Sequence, residues 1–169
     1  MTIEQAIATA IEYETRVRDV YGDAREQVKH PEGQRVFAVL AEEEQRHVDY
    51  LHQVLKGWQE TGKIAVGRLA TAIPPKEVID RGIADVQGRM PSEDQDAEAA
   101  LLRKALDVEL ETSGFYRRMV AELPAAGQEL FARFVEIEEG HVTLVQAEID
   151  SLTGLGFWFD MQEFDLEAG

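Results

Sequence analysis

The chain contains no cysteine. Disulfides, iron–sulfur clusters, thiolate zinc sites and cysteine nucleophiles are therefore excluded. Positive charge is scarce. Lys+Arg number 17 against 33 Asp+Glu, for a formal net charge of −16. That balance argues against nucleic acid, which rewards cationic surfaces, and against anionic membrane surfaces. It suits a solvated acidic surface or a protein that attracts cations. No apolar run approaches the ~18 residues of a membrane span. The first residues, Met1-Thr2-Ile3-Glu4-Gln5, have neither the basic nor the apolar stretch of a signal peptide, so cytoplasm is the expected location. What remains is 169 residues with 44% apolar content, enough for one domain with a sizeable core.

Helical patterns dominate. Thr2-Ile3-Glu4-Gln5 has capping-box form, and a seam follows at alternating steps of four and three residues: Ile3, Ile7, Ala10, Glu14, Val17, Tyr21, Ala24, Val28. This helix should end near His30, before Pro31, which suits the first turn of the next one. The second seam runs Gly33, Phe37, Leu40, Glu44, His47, Leu51, Val54, Trp58, with Gly62 as its stop. Residues 62–91 hold Gly62, Gly67, Gly82 and Gly88 with Pro74, Pro75 and Pro91, and read as a long connection with a short helix around 76–86. Ser92-Glu93-Asp94-Gln95 is a second capping box. The third seam runs Leu102, Leu106, Glu109, Ser113, Tyr116, Val120, Leu123, and Pro124 marks a turn. The fourth runs Phe131, Phe134, Glu138, His141, Val145, until Gly154 and Gly156 end it. Strand signals are weak. Two helical hairpins joined by a long crossover describe an all-α four-helix bundle over residues 1–154, followed by an aromatic, acidic tail over 155–169.

The two hairpins repeat one another. Phe37, Leu40, Glu44, His47 and Leu51 recur 94 residues later as Phe131, Phe134, Glu138, His141 and Val145. Glu14 with Tyr21 recurs as Glu109 with Tyr116.

Each apolar seam thus carries one Glu where a core residue belongs: Glu14, Glu44, Glu109 and Glu138. A buried carboxylate without a partner is costly. Antiparallel geometry brings these four together. Glu14 and Glu44 are equidistant from residue 29, at the first turn. The midpoint of Glu109 and Glu138 falls between Leu123 and Pro124, at the second. Packing the copies about a pseudo-twofold places all four in one layer. His47 and His141 stand three residues after Glu44 and Glu138, on the same helix face and about one turn away. Four carboxylates and two neutral imidazoles form a six-ligand set whose four negative charges two divalent cations would balance. The competing reading is a bundle whose acids are protonated or paired with arginine, Arg18 and Arg46 being nearby but off the seam.

One Glu from each of two helices and Glu-x-x-His from the other two is the ligand pattern of ferritin-like di-iron and di-manganese proteins. At these residues the chain resembles the rubrerythrin family of ferritin-like proteins, from residue 2 to about 152. That resemblance implies a ferritin-like bundle and a pair of irons held by Glu14, Glu44, His47, Glu109, Glu138 and His141, although manganese and zinc accept the same donors. It implies that Tyr21 and Tyr116 stand beside the metal carboxylates and serve the reaction; ordinary core aromatics are the other reading. It further implies an oxidoreductase that reacts with peroxide or O₂. Two departures from the family pattern bear on this. Rubrerythrins add a small four-cysteine rubredoxin domain, and this chain has no cysteine, so its electrons would come from a separate donor protein. They also carry an extra carboxylate one turn after the third-helix Glu, where this chain has Thr112; Glu111 points to another face. The set is thereby closer to plain ferritin, and iron handling as a ferroxidase, or a non-redox ferritin-like binding role, stands as the alternative.

Other features receive plainer readings. Asp49-x-x-His52 imitates the motif, but His52 lies about 140° round the helix from His47 and should face solvent. Glu42, Glu43, Glu136 and Glu139 read as a solvated helix face, or as a funnel for cations. Phe157, Trp158, Phe159 and Phe164 of the tail are expected to pack on the bundle or on a second copy, a homodimer being the expected assembly.

Overall fold

The computed structural model describes residues 1–64, 67, 69–74, 76, 79 and 95–152. Of the expected short helix at 76–86 only Lys76 and Ile79 are described, both helical; its other residues, the capping box at Ser92, the boundary at 154/155 and the tail aromatics lie outside the described residues.

Four helices make the bundle: α1 (Ile3–Gln27), α2 (Pro31–Thr61), α3 (Gln95–Glu122) and α4 (Ala125–Leu152). The start of α1 is a complete capping box. Thr2 Oγ1 accepts the Gln5 N–H at 3.1 Å, and Gln5 Oε1 accepts the Thr2 N–H at 2.9 Å. The helix ends when Val28 turns extended, three residues ahead of Pro31, which opens α2. At the far end of α2 Gly62 takes φ 66°, the left-handed conformation that closes a helix without Cβ strain. Between α3 and α4 the chain turns within Leu123-Pro124, where the Pro124 carbonyl accepts the N–H groups of Gly127 and Gln128. Gly127 is required there, because a Cβ would stand 2.9 Å from Leu123 Cβ.

The helices pack as two hairpins, α1 on α2 and α3 on α4, with α1 also against α3. Their apolar seams form two separate lobes. The first holds Val17, Tyr21, Phe37, Leu40, Leu102, Ala105, Leu144 and Val145. The second holds Ile7, Ala10, Leu51, Val54, Phe115, Tyr116, Phe131 and Phe134. Chain directions follow from this division. α1 and α4 run from the second lobe to the first, while α2 and α3 run from the first to the second. The end of α2 and the start of α3 are therefore at opposite ends of the bundle, and the connection between them must travel its length. Leu69 packs in the second lobe, and Ile73 and Ile79 in the first, which traces that passage. No helix among the described residues is long and apolar enough to cross a membrane.

Candidate metal centre

The gap between the two lobes is filled by polar side chains. On α1 it falls between Ala10 and Val17, at Glu14. On α2 it falls between Leu40 and Leu51, at Glu44 and His47. Glu109 occupies it on α3, and Glu138 and His141 on α4. All six are fully buried, at 0% exposure. The helical register that sets the apolar seam thus delivers six ionisable groups to one interior layer.

Within the layer, each imidazole turns Nδ1 toward the carboxylates. His47 Nδ1 is 3.1 Å from Glu44 Oε2, 3.2 Å from Glu14 Oε2 and 3.6 Å from Glu138 Oε1. His141 Nδ1 is 2.8 Å from Glu44 Oε1, and 3.7 Å from both Glu109 Oε1 and Glu138 Oε2. The two rings lie parallel, 5.4 Å apart at 7°. The six residues form two overlapping quartets able to hold a metal ion: Glu14, Glu44, His47 and Glu138, and Glu44, Glu109, Glu138 and His141. Within each quartet the ligand atoms lie within 4.8 Å of one another. Glu44 and Glu138 belong to both, and each turns one oxygen toward His47 and the other toward His141. They stand where bridging carboxylates would stand. Glu14 with His47, and Glu109 with His141, take the terminal places.

The donor chemistry fits divalent cations. Two atoms each about 2.1 Å from a shared cation stand roughly 3.0–3.4 Å apart, close to the Glu14, Glu44 and His47 separations. Glu109 Oε2 and both Glu138 oxygens are buried without a hydrogen-bond partner among the described residues, and Glu44 Oε1 has only His141 Nδ1, at 2.8 Å. Neither Arg18 nor Arg46 neutralises the layer: Arg18 bonds Asp19 and Gln45, and Arg46 bonds Glu43.

Without metal, protons and histidines must carry the balance. Burial, reinforced by the Glu44 charge, pushes the Glu14 carboxyl up to about 8. Burial and the charges of Glu14, Glu44 and Glu109 hold Glu138 well above the usual carboxylate range. Burial works against the charged form of Glu44 too, but His47 and His141 outweigh it and hold that carboxyl well below its ordinary value. Burial would likewise lower both imidazoles. The carboxylates reverse this, raising His47 to about 10 and His141 well above its ordinary value.

Tyr21 and Tyr116 both reach the layer, and they do so crosswise. Tyr21 of α1 donates its hydroxyl to Glu109 of α3, while Tyr116 of α3 donates to Glu14 of α1. Burial, then the adjacent carboxylates, raise both phenols well above their ordinary value. Thr112 is buried and spends its hydroxyl on the Val108 carbonyl at 2.8 Å. Glu111 faces outward, 2.9 Å from Arg16.

Of the acids read as a solvated face, Glu42 and Glu136 are exposed and Glu139 is half-buried beside Arg117. Glu43 departs from that reading. It is fully buried, it accepts the Ala72 N–H, and its Oε2 lies 3.9 Å from His47 Nε2. The crossover, whose course the sequence does not reveal, covers this face of α2. The available signal was the four-residue step from Glu43 to His47, which puts both on one side of the helix. His52 is exposed, as its angular position requires.

No family model, no curated protein and no solved structure matches the chain. Any functional reading rests on these residues themselves.

Proposed function

We propose that the chain is a dinuclear-metal protein of rubrerythrin-like type, a non-haem di-iron oxidoreductase that reacts with peroxide or O₂ and draws electrons from a separate donor protein. The observation that carries this reading is the pair of quartets sharing Glu44 and Glu138. When bound, an iron pair supplies two electrons, one from each metal, to a small oxidant. The chain's own residues do the rest. Glu44 and Glu138, which belong to both quartets, would be shared by two cations, and Glu14 with His47 and Glu109 with His141 would complete each set. Tyr116 and Tyr21 orient the terminal carboxylates by donating to one oxygen of each. The apolar lobes above and below exclude water; Phe134 closes one side of the layer, with its ring 5.5 Å from that of His47.

The test is anaerobic titration with Fe(II), followed by peroxide. Two irons per chain and the absorbance of carboxylate-bound ferric iron are expected. Binding of fewer than two irons would sink the reading. Thr112, with its hydroxyl committed to the helix backbone, favours a second reading, a ferroxidase that consumes Fe(II) as substrate. Turnover sustained by an electron donor without added Fe(II) distinguishes the oxidoreductase from it.

A further inference from the structure

The six-ligand layer uses one nitrogen of His47 and leaves the other. Nδ1 faces the carboxylates, so Nε2 points away from them, and it is buried without a hydrogen-bond partner among the described residues. An imidazole that gives the Nδ1 lone pair to a cation carries its proton on Nε2, and a buried N–H needs an acceptor. The group standing there is Glu43, whose Oε2 is likewise buried, without a hydrogen-bond partner and 3.9 Å from Nε2. Its other oxygen is committed: Oε1 accepts from the Ala72 backbone N–H and from Arg46 Nη2, the latter at 2.9 Å. Two donors on Oε1 anchor the carboxylate and leave Oε2 as the acceptor. The separation exceeds a hydrogen bond by about 1 Å, within reach of a small rotation of the carboxylate. The second hairpin has Ile137 at the matching place, so it supplies no counterpart.

We propose that Glu43 is a positioning residue for the metal centre, accepting the Nε2–H of His47 and tying that imidazole to the crossover at Ala72. It sets the tautomer that presents Nδ1 to the cation and limits rotation of the ring. This rests on the dinuclear reading above. Carboxylate partners of metal-bound histidines typically change metal affinity 10–100-fold when removed.

The experiment uses the full chain loaded with Co(II), whose paramagnetism shifts the proton resonances of coordinated histidines. Wild-type protein should bind two Co(II) and show a slowly exchanging Nε2–H signal from His47. In Glu43→Leu that signal should exchange with solvent at least tenfold faster, and Co(II) affinity should fall 10–100-fold, with helix content retained. Because loss of the Ala72 tether would also admit solvent, Glu43→Gln, whose amide oxygen can still accept the Ala72 N–H, is measured alongside. If Glu43→Leu does not fold, Glu43→Gln decides. Its amide oxygen is a weaker acceptor, so the ¹⁵Nε2 resonance of His47 should move and affinity should fall severalfold. Unchanged exchange, resonance and affinity would overturn the proposal. So would a third Co(II) in wild-type protein that Glu43→Leu abolishes, since Glu43, His47 and His141 would then hold a cation of their own. Fewer than two Co(II) in the wild-type chain defeats the dinuclear reading itself, and this proposal with it.

Discussion

Glu138 has both oxygens buried beside three other carboxylates. In metal-free protein it is a cost to the fold; in the proposed loaded protein it would be a shared ligand. The two states should therefore respond oppositely to its removal. Glu138→Met should stabilise the metal-free chain by about 1–4 kcal/mol, the range seen when buried ionic groups give way to apolar ones of similar size. The same change should reduce bound metal below two per chain. Thermal melts with a chelator and metal analysis by mass spectrometry check the two halves; a less stable metal-free variant would contradict the account. The tyrosines behave differently. Tyr116→Phe strips Glu14 of its phenolic donor and should destabilise the chain by about 1–3 kcal/mol. Tyr21→Phe should do the same through Glu109. If Tyr21 and Tyr116 only orient carboxylates, turnover should fall no further than metal occupancy does.

At the scale of the helix, ends and seams were written in the sequence. Thr2 with Gln5, Pro31, Gly62 and Pro124 mark boundaries through local backbone chemistry, which needs no tertiary context. Gly62 gives a clean case. No atom would meet a Cβ there within 4 Å, so the cost of Gly62→Ala is purely conformational, about 1–2 kcal/mol, read by chemical denaturation. A change within about 0.3 kcal/mol would show that α2 frays before this residue rather than closing on it. The layer was legible for a related reason. A Glu on an apolar seam violates the helical pattern, and mirror symmetry about each turn puts violations at one height. Glu43 was not legible, because its burial depends on the crossover, a segment with no periodicity to show where it runs. α1 ends at Gln27 rather than His30: Pro31 accounts for the extended His30 before it, and Val28 is already extended two residues earlier.

For the whole molecule, the buried layer couples stability to pH. Glu14, raised from 4.5 to about 8, binds its proton more tightly folded than unfolded. Its contribution is full below the unfolded value and is lost as pH rises through 8. His47, raised from 6.5 to about 10, contributes fully below 6.5 and loses that contribution as pH rises through 10. Glu44 has the opposite sign, but its loss lies well below pH 4.5 and leaves the neutral range untouched. The melting temperature of metal-free protein should therefore fall steadily from pH 5 to pH 9. Metal displaces those same protons, so the extra stability conferred by Zn(II) or Fe(II) should grow across that interval. A metal-free profile that does not fall would contradict the first expectation, and parallel profiles with and without metal the second.

Each quartet takes three ligands from one hairpin and one from the other: Glu14, Glu44 and His47 with Glu138, then Glu109, Glu138 and His141 with Glu44. Neither hairpin completes a quartet alone, yet two identical hairpins related by a twofold axis would complete both. A self-associating hairpin would be sufficient for such a layer, and joining two copies through a crossover would give the arrangement of this chain. Identical subunits cannot vary one copy without the other. Fused halves can, and Glu43 and Ile137, which stand at corresponding places of the repeat, differ in that way.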